Sequence, residues 1–293
     1  MSAATTLIGE TRGPARRRTG VIGAGAITER IILVACLGLL GLFAVFALWP
    51  SLLTWQDPFA ADRSLILAPP SLTHPLGTDE IGRDVYTRIV YGTRSTLALG
   101  VGAVLISLTL GTVAGLLAGL APRWVSMIVM RGNDIGAAFP ELLLAILIIA
   151  LFGGGPVNAA IAIGIAGIPY YVRVIRAETL KIRRATFIEA AHGLGLSRTT
   201  VLVRHLAPNA LRPVVVIATL GLGGATLAGA GLSFLGLGTA PPAPEWGSML
   251  SNARSFLGLG WWAAVFPGLA LTLFVASTTI VGRRIQKSLE GRR

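Results

Sequence analysis

Charge is scarce in this chain of 293 residues. Asp, Glu, Lys and Arg make up 13% of it, about half the share of an ordinary soluble domain, and that excludes a molecule whose whole surface faces water. Cysteine is reduced to Cys36, which sits inside an apolar run as a packing residue; no intrachain disulfide can form. The histidines are His74, His192 and His205, and none has a second ligand at metal spacing, so no metal site is expected. The sequence contains no GxxxxGK[ST] loop, so the chain is not expected to hydrolyse ATP itself. It also contains no solenoid repeat.

Apolar residues are abundant instead: 53% of the chain, with a mean hydropathy of +0.73. A helix needs about 20 mostly apolar residues to cross a bilayer. Runs of that kind lie at Ile31 to Trp49, Thr96 to Ala121, Val125 to Phe152, Val157 to Val174, Ala210 to Leu235 and Trp261 to Val281. The expected fold class is therefore an all-α integral membrane protein with about six transmembrane helices. The first run is too long for the h-region of a signal peptide, about 7 to 15 residues, and lacks a small-x-small exit, so it reads as an uncleaved anchor.

Placing the N-terminus in the cytoplasm leaves only Arg63, Arg83, Arg88, Arg94 and Arg254 of the 25 Lys and Arg on the opposite side. That is the positive-inside pattern, with both termini cytoplasmic. Topology thus accounts for the net charge of +12, and no nucleic-acid partner is expected. With the spans assigned, no Ser/His/Asp or paired-carboxylate set converges on one side of the bilayer, which leaves a membrane-embedded enzyme without support.

Three connecting segments are longer than connection requires: Pro50 to Ser95 outside, Ile175 to Asn209 in the cytoplasm, and the Pro-, Trp- and Gly-rich Gly236 to Gly260 outside. Long ordered loops tend to be functional. Within the membrane, Gly111, Gly115 and Gly119 fall on one helix face and invite close approach of another backbone. The fifth run carries Gly221, Gly223, Gly224, Gly229 and Gly231, which suits tight packing, a narrow pathway wall, or both. The third run holds Asp134 and, after Phe139-Pro140, Glu141. Proline should kink that helix, and ionisable groups at membrane depth are functional candidates. Asp134 also fits a structural pair with Arg131 or with an arginine on a neighbouring helix. A proton relay would need more such groups, which weakens secondary transport as a reading.

The cytoplasmic segment is the most informative. Phe187, Ala190, Ala191 and Leu194 sit at i, i+3, i+4 and i+7, an apolar stripe on a short helix. Thr186 with Glu189 has the form of a capping box. Gly193 and Gly195 suit the helix end, Ser197 can cap the next helix, and Pro208 marks the way into the fifth span. Such a stripe fits a groove in a partner or the membrane surface.

Glu189-Ala190-Ala191, then Gly195, then Pro208, resemble the EAA loop of ABC importer permeases. His205 and Ala207 stand where Ile and Leu are usual, while Arg204-His205 and Pro208-Asn209 fit the peptide-importer variant. His74-Pro-Leu-Gly-Thr-Asp79-Glu-Ile-Gly82-Arg83-Asp84, followed by Arg88, Tyr91-Gly92 and Arg94-Ser95, is similar to the signature before the second span of the dipeptide/oligopeptide/nickel class. So are Ala138-Phe139-Pro140, Leu232-Ser-Phe-Leu-Gly236, and Pro241 to Leu250 around Trp246. The resemblance is to the C-type subunit and covers nearly the whole chain. Where the class often has a glutamate before Leu-Ser-Phe-Leu-Gly, this chain has Gly229.

The resemblance implies a type I importer permease fold in the bacterial cytoplasmic membrane. It divides the chain into a cytoplasmic tail (1–30), a first helix with its outside segment (31–95), a five-helix core (96–283) holding the coupling loop (175–209), and a cytoplasmic tail (284–293). It implies transport of dipeptides or oligopeptides, with a B-type permease, two ATPase subunits, an extracytoplasmic substrate-binding protein and membrane lipid as partners. No cofactor is expected on this chain; ATP and Mg belong to the ATPases. Phe187, Glu189, Ala190, Ala191 and Gly195 are the expected coupling residues. Asp79, Arg83, Asp84 and Trp246 are the expected outer-mouth or binding-protein contacts. From the residues alone, Asp79 to Arg94 reads as an amphipathic outside helix capped by Thr78 or Asp79, its charges solvated and self-paired or placed at the outer mouth. A nickel chelate, glutathione or another small solute, and an ion-gradient-driven transporter, are the competing readings.

Overall fold

The computed structural model describes residues 24–211 and 214–290. The expected tail positions Arg12, Arg16, Arg17, Arg18, Arg292 and Arg293, and Arg212 at the mouth of the fifth span, lie outside the described residues. Regular structure among the described residues is helical, apart from an isolated bridge between Thr78 and Asp84. The helices are α1 (Ala24–Leu48), α2 (Val85–Leu120), α3 (Arg123–Ala137), α4 (Glu141–Phe152), α5 (Pro156–Arg183), α6 (Thr186–Gly193), α7 (Arg198–Thr200), α8 (Ala207–Ala210), α9 (Val214–Phe234), α10 (Trp246–Ala253) and α11 (Trp262–Glu290). Five of them, α1, α2, α5, α9 and α11, are long and apolar enough to cross a membrane, and α3 with α4, a bent pair, brings the number to six when counted as one broken span. The fold is thus an all-α, multi-span membrane fold.

The broken span departs from the expected kink. α3 and α4 meet at 89°, which is a corner. Pro140 cannot donate to the preceding turn and the residue before a proline disfavours the helical region. The helical ladder resumes only with the Leu144 amide donating to the Pro140 carbonyl (3.0 Å).

α2 is the axis of the molecule. The small-residue face does what its spacing predicts. A Cβ on Gly115 would stand 2.8 Å from Ile175 Cβ, one on Gly119 would stand 2.6 Å from Thr179 Cγ2, and one on Gly111 would overlap Tyr171. α2 and α5 therefore touch backbone to side-chain root along the cytoplasmic half. The fifth span divides its glycines. A Cβ on Gly221, Gly223 or Gly229 would collide with Tyr171, Thr278 or Leu99, whereas Gly224 and Gly231 face open space.

α2 also begins earlier than expected. No breaker separates Val85 from Thr96, and Gly92, the one weak position, is held against the Pro244–Glu245 backbone. The expected outside helix from Asp79 to Arg94 is therefore two things: a tight turn over residues 79–84 and the first turns of α2. Asp84 is the N-cap, accepting from Thr87 N at 2.7 Å; Thr78 and Asp79 are spent elsewhere.

The outside segment before α2 and the α10 segment fold together into a cap over the outer ends of α1, α2 and α11. Trp246 lies at its centre with no exposed surface, tilted against Phe43 and edge-on to Phe274. Its indole N–H donates to the Ile89 carbonyl (3.1 Å). From the other side, the Trp262 indole donates to Thr78 O (3.0 Å).

Candidate functional site: a two-faced cytoplasmic helix, a broken span and a closed outer cap

α6 follows α5 with almost no connection. The Ala185 carbonyl accepts from the Ile188 and Glu189 amides (2.9 and 3.4 Å), so Thr186 is already inside the helix and the expected Thr186–Glu189 capping box does not form. The helix ends in a Schellman turn: Leu196 N–H donates to Ala191 O at 3.2 Å while Gly195 takes φ +77°, a conformation glycine adopts at little cost. Gly193 is the last helical residue, and Gly195 alone makes the reversal. Ser197 then caps the next turn, its hydroxyl accepting from Thr200 N (3.2 Å).

Val201–Leu206 is wound with wider π turns, and the Ala207 amide reaches Leu202 O. The Pro208 ring accounts for this, because it crowds the carbonyl four residues back and removes a donor. The exit turn, where His205 and Ala207 depart from the usual residues, is therefore ordered; Asn209 Nδ2 donates to His205 O at 2.5 Å.

The apolar stripe divides into two faces. Ile188 (3% exposed) and Ala191 (6%) pack on Val201, Leu206 and Ala210, with Leu116, Leu120 and Ile182 behind. Phe187 (43%), Ala190 and Leu194 (83%) are bare. Ala191, expected on the partner side, is part of the tether. Glu189 is exposed, and its carboxylate has no hydrogen bond or ion pair among the described residues. The site thus presents two apolar side chains, one small residue and one free carboxylate, on a helix held from behind by the membrane core.

At membrane depth, Asp134 pairs with Arg173 of α5 (3.5 Å), both side chains about half exposed. Its partner is the neighbouring-helix arginine, not Arg131. Glu141 opens α4, is exposed, and has no partner among the described residues. Gly229 stands against the tip of Leu99 so closely that a Cβ would overlap it, so an acidic side chain there would require the Leu99 side chain to move.

The outer residues are self-paired but not solvated. Asp79 accepts from Ile81 N (3.1 Å), Arg83 N (2.9 Å) and Arg83 Nε (2.6 Å), and Arg83 Nη2 reaches Glu80 (3.1 Å). Asp84 adds His74 Nδ1 (3.0 Å) to its capping bond. Asp79, Arg83, Asp84 and Trp246 are all buried. They shape the cap from inside; contact with any protein outside falls to its exposed residues.

Two buried groups central to the cap, both within the resemblance motifs, were given no site role from sequence. Arg88 donates from Nη1 to the Pro58 and Pro242 carbonyls (3.0 and 3.2 Å), with Nε 3.4 Å from Asp79. Glu245 is wholly buried and caps α10 through Gly247 N (2.8 Å) and Ser248 N (2.9 Å), with Thr96 Oγ1 also donating (3.3 Å). Burial pushes its carboxyl above the usual carboxylate range, against the backbone donors that pull it down. The helix-start form Glu-Trp-Gly-Ser was the available signal for Glu245. Arg88 belongs to the signature before the second span, but its carbonyl partners come from distant loops that no local pattern shows.

Known proteins place this architecture. The chain is 42% identical over 248 residues to the dipeptide transport system permease protein of Alkalihalophilus pseudofirmus, covering 85% of this chain and 82% of that one. It is 39% identical over 267 residues to the glutathione transport system permease protein of Pectobacterium atrosepticum, covering 90% and 88%. With the di/tripeptide transport system permease protein of Pseudomonas aeruginosa it shares 37% over 272 residues, covering 91% and 86%. Among solved structures, the methionine ABC transporter in an inward-facing conformation matches with a TM-score of 0.56 at 20% identity, over 69% of this chain and 95% of that one. An amino acid ABC transporter with histidines matches equally, TM-score 0.56 at 16% identity, over 69% and 94%; at these identities the likeness concerns the fold. The family model for the binding-protein-dependent transport system inner membrane component matches residues 111–293, and the chain belongs to that family.

Proposed function

We propose that this chain is the permease subunit of a peptide-importing ABC transporter in a bacterial cytoplasmic membrane, working with a B-type permease, two ATPase subunits and an extracytoplasmic binding protein. The single observation that carries the coupling part is α6: an exposed face of Phe187, Glu189, Ala190 and Leu194 on the cytoplasmic side, backed by a buried face fixed to the membrane core. A bare apolar helix face fits a groove in a partner. The tether lets a push on that face reach α2 and α5. ATP and Mg belong to the partner subunits. ATP binding favours one arrangement of the permease pair, and hydrolysis restores the other, by differential affinity for the two states.

Short peptides are the substrate class. The relatives named for dipeptides, di/tripeptides and glutathione, itself a tripeptide, support this. A substrate panel separates them. In the assembled complex, the cognate binding protein loaded with dipeptide should stimulate ATP turnover several-fold. Stimulation by glutathione or a nickel chelate and not by any dipeptide would reassign the substrate.

A further inference from the structure

The corner between α3 and α4 lies on the exposed surface of the chain. Phe139 is half exposed, and Pro140 and Glu141 are exposed with it. Its depth follows from its neighbours. Glu141 Oε1 lies 3.7 Å from where a Cβ on Gly167 would stand, beside Ser107 of α2. Counting helical rise from Pro156, Gly167 is about 16 Å along α5, close to the middle of a hydrocarbon core about 30 Å thick. An interrupted backbone and an unpartnered carboxylate at that depth cannot face lipid, where each bare polar group costs several kcal/mol.

A dry contact with a neighbouring subunit would leave the carboxylate uncompensated by this chain, because Arg173 is already taken by Asp134 and Glu141 has no partner among the described residues. Water resolves both problems.

We infer that the α3–α4 corner lines the aqueous translocation path and that Glu141 is a negative subsite in it, contacting the ammonium group of a passing peptide. The ammonium part rests on the peptide-import reading; the path and its charge do not. An acid here attracts the amino end of a peptide and repels its carboxylate, so it favours passage with the amino end held at the corner.

Thiol labelling in the assembled complex tests this. Cys36 is the chain's single cysteine, so Cys36→Ser with Phe139→Cys gives one reporter beside the acid, read by mass spectrometry of this chain. Cationic methanethiosulfonate reagent should react about tenfold faster than its anionic counterpart, as a nearby unit charge in a watery, partly screened site would produce. Glu141→Gln should erase that preference. A reporter that stays unreactive in both ATP-trapped and nucleotide-free complexes, or a preference that survives Glu141→Gln, overturns the path assignment. In a separate arm, Glu141→Gln should lower dipeptide uptake per ATP hydrolysed by about tenfold. An unchanged ratio overturns the ammonium contact. Because the reagents do not depend on the substrate, a complex that moves some other solute still reports on the path.

Discussion

Arg88 ties together three stretches that are remote in sequence: the Pro58 loop, the Asp79 turn and the Pro241–Pro242 segment. It is 2% exposed. Removing one member of a buried, hydrogen-bonded charge set leaves the others unpaired and costs about 3 to 5 kcal/mol. Arg88→Met should therefore loosen the outer cap and lower the midpoint of thermal unfolding of the purified protein. Arg88→Lys should rescue it only in part, because an ammonium lacks the guanidinium fork; full rescue would contradict the two-carbonyl role. Glu245 gives a pH-dependent counterpart. Its folded carboxyl is raised by burial, so the protonated form is favoured by the fold. That contribution is fully present below the unfolded value and is lost as pH rises through the folded one. Thermal midpoints should fall over that window in the native chain and fall less in Glu245→Gln. Glu245→Ala, which strips the α10 amides of their acceptor, should cost roughly 2 to 4 kcal/mol at any pH. Residues of this kind were the least legible in the sequence. Alternating charges from Asp79 to Arg94 carry the local mark of a solvated helix, and the contacts that bury them, such as Trp246 to Ile89, span a distance along the chain that no local pattern encodes.

At the scale of the element, periodicity and turn chemistry were readable. The Gly111, Gly115, Gly119 face met α5 as its spacing requires, and Gly195 made the left-handed turn its type allows. The amphipathic stripe on α6 was readable as a stripe, but not as two faces: Ala190 and Ala191 are adjacent small residues, and only tertiary packing decides that Ala191 points inward. The corner at Pro140 was readable as a proline, whereas an 89° angle needs neighbours that leave room for it. Two predictions belong here. Ala190→Glu should leave the complex assembled but weaken ATPase docking, lowering uptake per ATP hydrolysed. Ala191→Glu puts a charge against Val201 and Leu206 and should instead destabilise the loop, seen as faster proteolysis at residues 184–211. Equal effects of the two would contradict the two-faced assignment. Gly115→Leu must force α2 from α5 at Ile175, and overpacking costs about 1 to 3 kcal/mol; a lower thermal midpoint with Gly224→Leu unaffected is the expected contrast, since Gly224 has open space around it.

The molecule as a whole is a tethered lever. A cytoplasmic helix is fixed to the cytoplasmic ends of α2 and α5, a broken span lies beside the same two helices, and a closed cap joins the outer ends of α1, α2 and α11. The membrane fold was legible because lipid imposes long apolar runs, and topology because basic residues crowd one side. Exposed apolar surface on α1 and on α4, including Val34 and Leu151, is what a chain shows when lipid is its normal neighbour, and it leaves room for the proposed second permease. The most direct measurement is dipeptide uptake in proteoliposomes holding this chain with the B-type permease, the ATPases and the binding protein. Uptake should require both ATP and the binding protein and should disappear with Gly195→Glu, which breaks the turn that sets α6. Uptake by this chain without the ATPases, driven by a proton or sodium gradient, would contradict the account.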